Sequence, residues 1–555
     1  MDVDVLVVGG GPAGTTVACL AKKYAPGARV LIVDRAEHPR HHIGESLVVD
    51  VNRILWEMGA YDAVATHGFL PKAGGTFVWG LDRDPWSILF TDLADIVTLR
   101  RPGKLQMDYT WHVERHAYDA LLLDVARDLG VEVRTGFDVQ GPILEKGRVV
   151  GVVGRSEGAP DSAIRARFTI DASGQRALLG GPLGGRTVDP FLQNIAVYAY
   201  LSGAKVDARY CGSWDLARIF VVTIPIGWIW YIPLRKDLIS VGVVTSKETF
   251  QARSGDLEQF FREHLATAPE LQPLVDGATV VRHPNAPREL LVERDFCWMC
   301  EKVAGPGWAL VGDSAGFVDP IFSIGVFLAQ SSAYWLGYAL ATILRGDPIA
   351  EDVVWRAYDD YVRTTISAFR TMTYFWYGFN GSKESFWWEA RRALRSSALP
   401  PGITDRQAFL ALATGYGVNR SLFNEATTVY GERLFSDMHR EFLDASDPMP
   451  ELRRLEGLPD QAVLRLAAPI DVVPFAMPLE GTGKLVAVDK IRFGPEDDLP
   501  RRLYVPKGVG ALFERMREPT SVAALAAEAK SLGLPPQTLG TMLSHLRRGG
   551  FLIGA

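Results

Sequence analysis

The chain has 555 residues, 48% of them hydrophobic and 22% charged, with a formal net charge of -6 at pH 7. That length exceeds what one hydrophobic core supports, so two or three domains are expected, and the composition excludes a disordered, fibrous or collagen-like protein. The acidic balance argues against nucleic-acid binding by the whole protein, and four cysteines (Cys19, Cys211, Cys297, Cys300) are too few for a disulfide framework, which fits a reducing cytoplasm.

Along the chain, Asp4–Val8 predicts a short apolar strand, and no basic or cleavable apolar segment precedes it, so export is not expected. The strand runs into Gly9-Gly10-Gly11-Pro12-Ala13-Gly14 and then a helix pattern. In this GxGxxG setting Gly9 permits the tight turn, Gly11 lets the backbone approach a pyrophosphate, and Gly14 allows close helix–strand packing; exposed amides at the helix start meet the phosphate charge. A second strand, Val30–Val33, ends in Asp34, about 20 residues on, where a carboxylate binds an unphosphorylated ribose. Lys72 lies in Gly68–Gly80 among apolar, aromatic and glycine neighbours. Lysine is ordinarily a solvated cation, but one withheld from bulk water has its pKa lowered and can present an amine or ammonium to a reactive species.

Further on, a strand over Gly227–Pro233 places Trp228 and Trp230 on one face and Ile229 and Tyr231 on the other. Cys297 and Cys300 have no second ligand pair nearby and read as two half-buried thiols, so no metal site is expected. The apolar strand Trp308–Val311 leads to Asp313, where a carboxylate can accept hydrogen bonds from a sugar-alcohol chain. Ile321–Leu344 lacks Asp, Glu, Lys and Arg and competes as a membrane span, yet Ser323, Gly325, Gln330, Ser331 and Ser332 dilute it. A buried helix with no stable membrane span is the expectation. From about 350 to 468 the pattern is mostly helical, with an aromatic patch running from Phe369 through Tyr374, Phe375, Trp376 and Tyr377 to Trp388. Aromatics this dense usually form core, with a substrate-pocket lining as the functional alternative.

Several of these segments together resemble the flavin-dependent halogenases, in the branch acting on phenols, pyrroles and chloramphenicol-type substrates. Gly44-Glu45-Ser46, after Pro39-Arg40-His41-His42, resembles the segment that lies along the flavin. His112-Val113-Glu114-Arg115 resembles the helix start whose arginine contacts the dinucleotide, and Val311-Gly312-Asp313 the second FAD fingerprint. Trp228-Ile229-Trp230-Tyr231-Ile232-Pro233 matches WxWxIP, and the Lys72 segment resembles the stretch holding the catalytic lysine. The resemblance implies an α/β, glutathione-reductase-like (PHBH-type) FAD-binding fold over residues 1–345, with a substrate β-sheet inserted at about 70–110 and 180–300. A helical region, 346–470, and a small winged-helix-like end, 471–555, would follow.

It further implies FAD held by Gly9, Gly11, Pro12, Ala13, Gly14, Asp34, Arg35, Arg40, Glu45, Ser46, Arg115, Asp313 and Gly325, with Lys72, Trp228, Trp230, Pro233 and Ser323 serving catalysis. The amides of Ile324 and Gly325 would face chloride or bromide. Reduced FAD supplied by a separate flavin reductase, oxygen and halide would yield hypohalous acid, which passes the tryptophan wall to Lys72 and is directed onto an electron-rich phenolic or pyrrolic substrate, small or carrier-protein-bound, in natural-product biosynthesis. Tryptophan halogenases carry a glutamate where this chain has Phe322, a departure that points away from free tryptophan. Ile324 also stands where a small polar residue is commoner.

Residues 501–555 carry eight Lys or Arg against three Glu and resemble a winged helix. A structural cap or a docking surface for an acidic carrier is expected there rather than DNA binding. The alternatives are a flavin monooxygenase or geranylgeranyl-reductase-like enzyme on the same scaffold, or a non-enzymatic flavoprotein using the basic tail.

Overall fold

The computed structural model describes residues 2–80, 83–93, 107–378, 461–467, 469–493, 501–534, 539–540, 542–543 and 552–554. Its first layer is an eight-stranded sheet. The strand Val3–Val8, apolar without interruption from Val5 to Val8, lies between Val30–Val33 and Ser162–Asp171, parallel to both, and Trp308–Leu310 extends the parallel set beyond Ser162–Asp171. Strands buried on both faces need such continuous apolar runs, because helices cover the sheet. The helix Pro12–Tyr24 covers one side, with Pro12–Ala21 buried. It packs against Gly325–Arg345, which takes in most of the charge-free segment Ile321–Leu344 and is buried along most of its length. Gly337 makes this approach close: a Cβ there would come within 2.6 Å of the Leu20 Cβ. Among the described residues, no helix is long and apolar enough to cross a membrane.

The second layer is a ten-stranded sheet in the order Gly316–Phe317, Leu290–Cys300, Arg186–Ser202, Leu238–Ser246, Gly227–Arg235, Ala217–Ile224, Leu70–Val78, Trp86–Leu89. Thr110–His112 pairs with Leu70–Val78 as a side branch, and Thr279–Val281 with Arg186–Ser202. Its two faces divide the hydrophobic residues by period-two alternation. Trp228 and Trp230 join the main core beneath the first layer, whereas Ile229 and Tyr231 join a separate cluster on the opposite face.

A long helix, Glu351–Gly378, then packs against strands of both layers, Ala304–Gly305 in the first and Leu290–Cys300 in the second. The rest of the helical region expected to residue 470 lies outside the described residues up to 460, and from there it differs. Val463–Leu466 is a strand paired with Thr520–Ser521 and Leu552–Gly554, so it belongs to the terminal unit, which begins several residues ahead of the expected boundary at 471. The physical reason is its alternation: Leu464 and Leu466 point inward while Arg465 is exposed. The terminal unit also holds a sheet of Ile470–Leu479, Lys484–Phe493 and Arg501–Pro506 and the helices Gly510–Arg515 and Val522–Ser531, the latter capped by Ser521 Oγ accepting from the Ala524 N–H. Most of residues 535–551 in the expected winged-helix-like end lie outside the described residues.

Candidate active site

The carboxyl ends of the parallel strands open onto a cavity of about 500 Å³, where open α/β sheets bind ligands. Gly9, Gly11, Pro12, Ala13, Asp34, Arg35, Arg40, Glu45, Ser46, Arg115 and Asp313 all line it. Gly9 adopts φ +118°, and a Cβ on it would lie 2.2 Å from the Ala172 carbonyl oxygen. A Cβ on Gly14 would lie 1.9 Å from the Gly9 carbonyl oxygen, which is why helix and strand can pack this closely although Gly14 itself is off the cavity. Gly11 would meet nothing nearer than Arg40 at 3.7 Å, so its open side faces the cavity.

The polar groups are already partly committed. Burial pushes the Asp34 carboxyl up, but contact with His38 and hydrogen bonds from the Ala36 and Gly10 N–H groups outweigh it and hold the group at about 2. Arg115 donates from Nε and Nη2 to Asp119 and from Nη1 to the Ile43 carbonyl at 2.6 Å, so most of its guanidinium is engaged within the protein. Asp313 is drawn up to about 7 by burial, against the opposing pull of Arg115. Glu45 is pushed up to about 7, again chiefly by burial.

Trp228 and Trp230 form one wall, their ring centroids 6.1 Å apart and both nearly buried. Each indole is held by a hydrogen bond. Trp228 Nε1 donates to the Tyr377 hydroxyl at 2.7 Å, and that hydroxyl donates to Asp319, a carboxyl raised by burial to about 6. Trp230 Nε1 donates to Ser240 Oγ at 3.2 Å, and its ring lies flat over Gly242, where a Cβ would come within 2.2 Å of the indole. Pro233, in the same strand opposite Ile239, is off the cavity.

Lys72 is 3% exposed and is not among the cavity-lining residues. Its Nζ donates to the Leu47 carbonyl at 2.6 Å, just past the cavity-lining Glu45 and Ser46, and lies 5.6 Å from the centre of the Phe90 ring. Desolvation pulls it down to about 7, which leaves the amine and ammonium comparably populated near neutrality. On the same sheet face, His112 is wholly buried, and neither ring nitrogen has a hydrogen-bond partner among the described residues.

Ser323 and Gly325 line the cavity where the 21-residue helix begins. Ser323 holds φ +56°, an uncommon conformation for a non-glycine residue and one that gathers at functional sites. Ile324 turns its side chain into the core. Phe322 packs against Trp376 at 5.1 Å, so no carboxylate occupies that place. Trp376 is core, touching Phe77, Trp79 and Trp86, whereas Tyr377 supports the wall. Sequence reasoning missed Glu293, Arg176 and the anchoring role of Tyr377. Glu293 reaches the cavity because its strand pairs with Ala196, a contact across nearly 100 residues that no local pattern announces.

A family model described as tryptophan halogenase matches residues 96–447, and one described as FAD dependent oxidoreductase matches 4–180. The chain belongs to the tryptophan halogenase family. This halogenase is 34% identical to a tryptophan 2-halogenase of Chondromyces crocatus over 397 residues, 70% of each chain. It is 32% identical to a 1H-pyrrole-2-carbonyl-[peptidyl-carrier protein] chlorinase of Pseudomonas fluorescens, covering 60% of this chain and 74% of the relative. Among solved structures, the myxobacterial chondrochloren halogenase superposes with a TM-score of 0.62 at 31% identity, over 79% of this chain and 96% of its own. The halogenase therefore uses FAD and a halide, and its cavity fits the dinucleotide. Glu45 Oε2 and Ser46 Oγ are buried there without hydrogen-bond partners among the described residues, and Gly11 leaves its side open.

Proposed function

We propose that the halogenase directs hypohalous acid from the flavin cavity, past Trp228 and Trp230, to Lys72, which presents it to an electron-rich phenolic or pyrrolic substrate, free or tethered to a carrier protein. The observation that carries this reading is the placement of two indoles side by side on the cavity wall, with a desolvated lysine just behind the Glu45-Ser46 loop. FAD, when bound and reduced by a separate flavin reductase, supplies the activation of oxygen that turns halide into hypohalous acid.

The chain's own groups would then divide the work. Gly9, Gly11, Pro12 and Ala13 receive the pyrophosphate at the helix start, with Gly14 holding the turn closed; Asp34, Arg35 and Arg40 border the ribose end, and Asp313 and Arg115 the ribityl side. The backbone amides of Ile324 and Gly325, at the amino end of a 21-residue helix, favour a halide ion there, with Ser323 shaping the approach. The paired indoles keep organic substrate from the flavin. Lys72 either donates a hydrogen bond to hypohalous acid as ammonium or takes the halogen as an amine; at about 7 both forms are at hand.

Phe322 in place of an acid favours substrates activated enough to react without a carboxylate base, and the Pseudomonas relative's carrier-bound pyrrole belongs to that class. The name of the Chondromyces relative makes tryptophan the second reading. The test is incubation with FAD, a flavin reductase, NADH and chloride or bromide against phenols, a carrier-bound pyrrole-2-carbonyl group and tryptophan, with products weighed by mass spectrometry. Halide-dependent replacement of one ring hydrogen by a halogen on a phenol or pyrrole is expected. Hydroxylated product formed without halide would replace this reading with a monooxygenase.

A further inference from the structure

Behind Trp230 a chain of hydrogen bonds joins two residues of the cavity wall, Glu45 and His41, through Tyr200, and brings His41 beside the ring of His283. Glu45 lines the cavity and accepts the Tyr200 O–H on Oε1 at 2.7 Å, while its Oε2 has no partner among the described residues. Since the phenol's one proton goes to Glu45, the 2.8 Å contact between the Tyr200 oxygen and His41 Nε2 requires His41 to be the donor. His41 therefore carries its proton on Nε2 and leaves Nδ1 open. Its ring stands 5.7 Å from that of His283, whose Nε2 meets Glu114 Oε2 at 3.0 Å; Glu114 Oε1 accepts from the Nε of Arg235, a side chain 41% exposed.

The outer cluster also admits a metal reading, because Glu114, His116 and His283 present ligand atoms within 4.8 Å of one another. His283 argues against it. Its Nδ1 accepts the Asn285 N–H at 3.2 Å, which places the ring proton on Nε2, the nitrogen facing Glu114 that a cation would need bare. A hydrogen-bonded chain is what this tautomer supports.

We propose that Glu45, Tyr200 and His41 form a proton relay between the flavin cavity and the His283–Glu114 side of the protein. Each proton released from Glu45 Oε2 into the cavity is replaced by the Tyr200 phenol proton on Oε1. The His41 Nε2 proton moves to the Tyr200 oxygen, and a proton from the outer side binds His41 Nδ1. No charge accumulates, and the reverse sequence carries a proton out. The relay requires a neutral His41 and an exchangeable Glu45. Burial, then His283, His116, Arg115 and Arg40, hold the imidazole down at about 4; burial raises Glu45 to about 7, with Tyr200, Ser240 and His283 opposing and Glu114 reinforcing. Glu45 and His41 both border the cavity, whereas Tyr200, which is off it, acts through them as a positioning residue.

The relay depends on the flavin cavity and not on halogenation, so its test uses neither halide nor organic substrate. The FAD-loaded enzyme is reduced, mixed with aerated buffer from pH 5 to 9, and flavin reoxidation is followed by absorbance. Tyr200→Phe is expected to slow reoxidation about tenfold or more and to abolish the inflection near pH 7, with FAD affinity by fluorescence within twofold of the parent. His41→Ala is expected to slow it similarly and to recover with added imidazole. If Tyr200→Phe fails to hold FAD, the imidazole rescue decides. Parental rates and pH profile in both variants, or a slowed His41→Ala that imidazole does not restore and that keeps the inflection, would overturn the relay. Halogenation of a substrate panel is read separately, from its own products, and can succeed or fail whichever way the relay falls.

Discussion

A lysine at 3% exposure, with its Nζ on a main-chain carbonyl, is an unfavourable place to put a cation, and the direction of its titration makes the cost measurable. In the unfolded chain Lys72 keeps its proton to about pH 10.4, while in the folded protein burial brings it to about 7. Between those values the unfolded state binds more protons, so the Lys72 contribution to stability rises with pH, and below pH 7 the full penalty applies. Lys72→Met is expected to be more stable than the parent by on the order of 1–3 kcal/mol at pH 6.5, with the gap closing toward pH 10 in denaturant titrations. The same variant should lose halogenated product by about 100-fold or more while still binding FAD, as judged by mass spectrometry and fluorescence. Asp34 titrates in the opposite sense. Held at about 2, its carboxylate stabilises the dinucleotide turn fully above about pH 4, and that contribution is lost as the pH falls through 2. Asp34→Ala removes the acceptor for the Gly10 N–H and should weaken FAD binding at least tenfold by fluorescence titration.

At the scale of the element, the strand Gly227–Arg235 works only with its neighbours. Trp230 finds room because Gly242 stands directly across from it, and Trp228 is turned by Tyr377 from a helix about 150 residues further along the chain. Gly242→Val would drive a side chain into the indole and is expected to lower stability by about 1–3 kcal/mol in thermal or denaturant melts, with a shifted tryptophan emission. Tyr377→Phe removes the acceptor for the Trp228 Nε1–H and leaves the buried Asp319 without one donor. A cost of about 1–2 kcal/mol is expected, together with more oxygen consumed per halogenated product as the wall loosens.

For the whole molecule, the C-terminal sheet is built into the same core as the flavin layer. Phe475, Met477 and Val486 join the main hydrophobic cluster. Arg345 donates to the Gly483 carbonyl, Arg53 meets Glu480 at 3.4 Å, and the Tyr338 hydroxyl accepts the Gly481 N–H. Gly483 sits at φ +67° against Tyr24, whose ring a Cβ would approach to 2.1 Å. Gly483→Ala is therefore expected to loosen the docking of this sheet and expose the segment around 461–470 to limited proteolysis, while the parallel strands of the flavin layer keep their protection.

The nucleotide turn is legible in the sequence because its requirements are local. Gly9, Gly14 and Asp34 answer to the geometry of one strand–turn–helix unit, and the alternation through Trp228 and Trp230 fixes a face whatever the strand's partners are. The start of the terminal unit at Val463–Leu466 is not, because four alternating residues are a weak signal beside a long helical pattern. What the amino-acid order could not announce were Gly242 beneath Trp230, Tyr377 behind Trp228, Glu293 on the cavity wall and His41 joined to Glu45 through Tyr200. Each depends on strands or helices brought together across tens to hundreds of residues, and such pairing is set by packing and sheet register, which no local periodicity encodes.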